Sequence, residues 1–129
     1  MIDYIYNFVY IYETITKIII MAKFEIYKDN SGEFRFRLKS SNGQNILSSE
    51  GYAAKTGCTN GIESVKKNAP DDSRYERLES KSGKPYFNLK AGNNQVIGSS
   101  QMYASKSGME NGIESVKTNA PSASVEDLT

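Results

Sequence analysis

Residues 60–66 read Asn-Gly-Ile-Glu-Ser-Val-Lys, and residues 111–117 read the same seven letters. The match extends in both directions. Residues 24–70, moved on by 51 positions, fall on residues 75–121 without a gap, and about half of the positions are identical. The chain therefore carries a tandem duplication. An ungapped match gives every turn the same length in both copies, so the two halves share one local fold.

The period of the apolar residues gives that fold. Phe24-Glu25-Ile26-Tyr27 alternates as a strand does, and Asp29-Asn30-Ser31-Gly32 is turn chemistry. Phe34, Phe36 and Leu38 then share one face, with Arg35, Arg37 and Lys39 on the other. Asn42-Gly43 turns the chain into a third short strand over about 45–49. In the second copy Pro85, Phe87 and Leu89 face inward, and Pro85 sits where a strand begins. Past Tyr52 and Tyr103 the period lengthens. Cys58, Ile62, Val65 and Ala69 form one stripe of an amphipathic helix, and Met109, Ile113, Val116 and Ala120 repeat it. Ser107 with Glu110 has the spacing of a capping box, and Pro70 and Pro121 end the helices. Residues 75–78 and 125–128 read as strands that follow the helices.

Composition excludes several chemistries. The chain has 129 residues and a net charge of +1, enough for one compact core and too balanced for a global basic field. It has no histidine, the commonest neutral-pH base and metal ligand. One cysteine, Cys58, gives no disulfide and fits a reducing cytoplasm. Residues 1–20 differ in character from the rest. Asp3, Asn7, Glu13 and Lys17 interrupt the apolar run, so the stretch is neither a signal peptide nor a membrane span of roughly 20 apolar residues. We read it as an upstream extension, with a natural start at Met21; the alternative is a genuine extra strand or helix packed on the domain. Residues 21–129 read as one domain of two repeats, 24–70 and 75–121, plus a closing strand at 125–128.

The opening from Phe24 to Lys39, the tandem repeat and the two helices ending in Asn-Ala-Pro resemble the YegP-like family, small prokaryotic proteins of unknown function. The resemblance implies two β-β-β-α-β units in one sheet with their final strands exchanged. Val125 to Leu128 and Arg74 to Leu78 would then each pair with the opposite half. Gly57-Cys58-Thr59 departs from the Ala-rich helix start usual in the family. The resemblance brings no activity, ligand or catalytic residue.

The fold class expected is α+β: an antiparallel-dominated sheet with two helices on one face. Cys58 lies on the core stripe, where Met109 stands in the second copy, and reads as structural rather than nucleophilic. Glu63 and Glu114 each precede a lysine by three residues and read as a solvated helix face. Asp71-Asp72 has no counterpart in the second copy and reads as a polar loop. Arg35, Arg37 and Lys39 project from one sheet face with the spacing of successive phosphates, and Tyr86 is the counterpart of Arg35. The alternative, a solvated strand face that also discourages aggregation, weighs more. Asn60 and Asn111 border the packed helix face and would define a functional site if they shared a pocket. These residues suggest a cytoplasmic monomer with internal pseudo-symmetry, no cofactor, no metal, no membrane role and no enzymatic activity. Its partner would be a protein not identifiable from sequence. Single-stranded nucleic acid is the second reading.

Overall fold

The computed structural model describes residues 21–129, so the extension read at 1–20 lies outside the described residues. Strands β1 (Lys23–Lys28), β2 (Phe34–Lys39) and β3 (Asn45–Ser48) lead into helix α1 (Lys55–Asn68). Strands β4 (Tyr75–Glu79), β5 (Pro85–Lys90) and β6 (Val96–Ser99) lead into helix α2 (Lys106–Asn119), and β7 (Ser124–Asp127) closes the chain. The seven strands form one sheet in the order β4-β5-β6-β3-β2-β1-β7. All pairings are antiparallel except β1 with β7. The strand after each helix thus lies against strands of the other repeat: β4 against β5, and β7 against β1.

At the centre of the sheet Ser48 of β3 pairs with Ser99 of β6. These two serines are repeat equivalents, 51 positions apart. An antiparallel pair of equivalent residues is what a two-fold axis requires, so the axis passes between them. Both repeats carry the same register shift, at Leu38/Lys39 and at Leu89/Lys90.

The core gathers the inward strand residues Phe24, Ile26, Phe36, Leu38, Phe87 and Leu89 under the two helix stripes, and Cys58, Ile62, Val65 and Ala69 are buried as their spacing predicts. Phe24 meets Phe36 edge-on at 5.8 Å, and Tyr75 meets Phe87 at 5.7 Å. Tyr75 is the counterpart of Phe24 and keeps its hydroxyl satisfied by donating to the Ala69 carbonyl at 2.7 Å. Burial raises the Tyr75 phenol well above its ordinary pKa. Pro85 takes the entry position expected of it. Phe34 exchanges two backbone bonds with Tyr52, whereas Pro85 has no N–H and only accepts one from Tyr103, at 2.8 Å.

One local expectation is corrected. The cap of α2 is Ser105, not Ser107, and its hydroxyl accepts from the Gly108 N–H at 3.1 Å. No capping box forms, because the residue three places after Ser105 is Gly108, and Glu110 is bonded instead to Arg77 of β4. The equivalent cap of α1 is Ala54, which has no side-chain bond to offer.

Candidate functional site

The helices cover one sheet face and leave the other open. Arg35, Arg37 and Lys39 stand on the open face, as their alternation requires, but their charges are met there. Arg35 Nε lies 2.6 Å from Asp29 Oδ2. Arg37 Nε lies 2.8 Å from Glu25 Oε1, and Lys39 Nζ lies 3.3 Å from the same oxygen. Cross-strand register sets this: Glu25 pairs with Arg37 and Tyr27 with Arg35. The Arg37 guanidinium also lies 4.4 Å from the centre of the Tyr27 ring. Glu25 is buried, with Lys23 Nζ a further 3.4 Å away. The Arg37 guanidinium, ahead of the opposing effect of burial and the help of Lys39, holds its carboxyl below the usual glutamate range. The cluster is an internally compensated network, not a row of free cations.

Tyr86 does not join this group. It lies on β5, with β6 and β3 intervening before β2, or roughly 14 Å away at the usual strand spacing. Its neighbours on the same face are likewise engaged: Lys90 pairs with Glu76 at 2.9 Å, and Asn88 accepts from the Ser99 hydroxyl at 2.8 Å.

Asn60 and Asn111 do not share a pocket. Asn60 borders a cleft with Thr59, Ile62, Glu63 and Val125. Asn111 borders another, of about 270 Å³, with Asn42, Tyr103, Ser115 and Asn119 among its walls. Each helix carries its asparagine to a cleft of its own. The glycines after them have a clear task. A Cβ on Gly61 would stand 2.6 Å from the Tyr52 hydroxyl, and one on Gly112 would collide with the Tyr103 hydroxyl. The repeated Asn-Gly is thus the passage for a tyrosine beneath each helix.

A larger cleft, about 430 Å³, straddles the two-fold axis and is lined by Asn45, Ser48, Ser49, Val96, Ser99 and Ser100, among others. Sequence reasoning missed it. The signal was present, since its walls are largely repeat pairs. The hydroxyls are spent on structure. Ser49 accepts from the Phe36 N–H at 2.9 Å and donates to the Glu50 carbonyl at 2.8 Å. Ser100 does the same with Phe87 and Gln101, at 2.9 and 2.8 Å. Glu50 also lines the cleft, but both hydroxyls donate to backbone carbonyls and neither is bonded to a carboxylate that could activate it. Cys58 is fully buried, and that burial, with a smaller contribution from Asp127, raises its thiol above the ordinary value. Among the described residues, no three His, Cys, Asp or Glu side chains converge as metal ligands. No helix among them is long and apolar enough to cross a membrane.

The architecture defines a duplicated α+β protein built on one exchanged sheet. The family described as "Domain of unknown function (DUF1508)" matches it twice, over residues 29–76 and 80–127, and the chain belongs to that family. It is 65% identical over 105 residues to the "UPF0339 protein in ptx operon 5'region" of Stutzerimonas stutzeri, covering 81% of this chain and 95% of that one. It is 52% identical over 106 residues to the UPF0339 protein YegP of Escherichia coli, covering 82% and 96%. The solution structure of E. coli YegP, described as a protein of unknown function, aligns with a TM-score of 0.81 at 50% identity, over 84% of this chain and 94% of that one. That of a UPF0339 protein from Shewanella oneidensis aligns with a TM-score of 0.80 at 48% identity, over 84% and 92%. The YegP-like resemblance read from the repeat is thereby established.

Proposed function

We propose that the chain is a non-enzymatic, cytoplasmic interaction protein that acts as a monomer and receives its partner on the sheet. The observation that carries this reading is the outer edge of β4, which has no neighbouring strand among the described residues. An unpaired edge is a template for another chain. The spent serines and the buried thiol support a role without catalysis. The duplication supplies inside one chain the two-fold symmetry that a dimer of single units would otherwise supply.

Affinity capture with the tagged full chain, from extracts of its native cells, tests the reading. A discrete protein retained saturably over a tag-only control is expected; no retention, or turnover of a substrate by the purified chain, rejects it. Binding of single-stranded nucleic acid through Arg35, Arg37, Lys39 and Tyr86 is the second reading. Its support is weaker because Glu25 and Asp29 already compete for those cations. Filter binding at low salt separates the two. Retention of an oligonucleotide that is lost when Arg35, Arg37 and Lys39 are all replaced by Ser favours the nucleic-acid reading.

A further inference from the structure

The first repeat shows how its own edge is covered. Strand β7 runs parallel to β1, with Val125 opposite Phe24, Glu126 opposite Glu25 and Asp127 opposite Ile26. The Leu128 N–H continues the pairing by donating to the Ile26 carbonyl at 2.8 Å. Val125, itself exposed, lines a cleft with Thr59 and Ile62 of α1. Two lysines hold the acidic residues: Lys23 pairs with Glu126, and Lys55 Nζ lies 2.7 Å from Asp127 Oδ2.

Moved on by 51 positions, β1 becomes β4 and α1 becomes α2, and Lys23 and Lys55 become Arg74 and Lys106. The second repeat keeps both cations, yet no strand lies against β4 among the described residues. In place of a strand there is a groove of about 290 Å³ between β4 and α2, whose lining includes the cations Arg77 and Lys106, the carboxylates Glu79 and Glu110, and the apolar Leu78 and Met109. Arg77 replaces Ile26, at the register position that faces Asp127 in the first repeat. Arg74, Arg77 and Lys106 therefore stand where an acidic strand would meet them. Arg77 is at present paired with Glu110 across the groove and with Asp72 at 3.1 Å. It would have to turn from Glu110 to the incoming carboxylate.

We infer that the β4–α2 groove binds an extended segment of another protein, parallel to β4, in which an apolar residue is followed by two acidic ones. This rests on the interaction reading and names the chemistry of its partner. A second copy is not the favoured occupant. To lend its β7 it would have to strip its own β1, so one strand pairing would be lost for each one gained.

The experiment uses the isotope-labelled full chain and a synthetic peptide of residues 122–129 of the same sequence. Expected are saturable amide shifts in residues 74–79 and 106–110, weakening on going from roughly 50 to 500 mM salt. Replacing Arg74 and Lys106 together by Glu should weaken binding by at least about tenfold, with the spectrum otherwise that of the folded chain. A peptide with the valine replaced by Asp should not bind. The inference is overturned by any of four results. One is shifts on β1 and α1, which would mean displacement of the chain's own β7. The second is no shift up to about 1 mM peptide. The third is protection from exchange, before peptide is added, of those β4 amides that do not bond to β5. The fourth is self-association through this edge in sedimentation. If the peptide fails while extracts still yield a saturable partner, the ligand class is wrong and the interaction reading stands.

Discussion

Leu47 and Gly98 are repeat equivalents that meet near the two-fold axis, and they show how the duplication was fitted together. A Cβ on Gly98 would stand 2.7 Å from Leu47 Cγ and Cδ2, so there is space for one leucine and not two. Gly98→Leu should destabilise the fold by about 1–3 kcal/mol through overpacking. The exchange Leu47→Gly with Gly98→Leu should recover most of that, because the space then holds one side chain again. Urea midpoints at constant slope read both, and a single variant as stable as the parent would refute this account. The second turn carries a similar substitution. Asn94 has φ 68° where its counterpart Gly43 has φ 83°. Asn tolerates the left-handed region better than other residues with a Cβ, so Asn94→Ala should cost about 1–2 kcal/mol and Asn94→Gly should be neutral or stabilising. Equal midpoints for the Ala and Gly variants would contradict this.

The elements differ in how they begin. Ala54 and Ser105 are equivalent N-caps with extended backbones, at φ −124°, ψ 147° and φ −146°, ψ 160°. Only Ser105 satisfies an orphan N–H. Ser105→Ala should cost about 1 kcal/mol, and Ala54→Ser should stabilise α1 by a similar amount, both measurable by thermal melting. A gain absent at Ala54 would show that its backbone cannot accept the cap. Most elements were legible in the sequence because burial imposes its period on them: two for Phe34-Phe36-Leu38, nearly four for Cys58-Ile62-Val65. The order of the strands was not legible from periodicity and came from the resemblance. Parallel pairing of β7 with β1 is a contact across about a hundred residues and leaves no local pattern. The candidate site was legible only as residue types. That Arg35, Arg37 and Lys39 would be neutralised depends on the register placing Glu25 opposite Arg37 and on the turn folding Asp29 back. Asn60 and Asn111 repeat in sequence, but repetition does not say whether equivalents meet at the axis, as Ser48 and Ser99 do, or border separate clefts, as these two do.

In the whole molecule, the closing strand is the least buried part of the sheet. All four residues of β7 are exposed, so its hold on β1 depends on backbone bonds and on charge. Lys55, helped by Thr129, holds the Asp127 carboxyl well below its ordinary range, and Arg37 does the same for Glu25 beside it on β1. Both groups thus have folded pKa values below those of the unfolded chain. Their contribution to stability is present above the ordinary carboxylate range of roughly 4 and is lost as pH falls through the folded values, where the native state must take up protons. Below that range β7 loses Lys55 as the partner of Asp127, and Glu25 no longer screens the cations around it. The amides of β7 and β1 should therefore lose hydrogen-exchange protection at a higher pH than those of β5, whose core contacts do not titrate. Replacing Glu25 by Gln and Asp127 by Asn should lower the melting temperature near neutral pH and flatten its fall between roughly pH 5 and pH 2. Parallel curves for the variant and the parent would show that these carboxylates do not hold the strand. Uniform loss of protection across the sheet would show that β7 opens only with the whole fold.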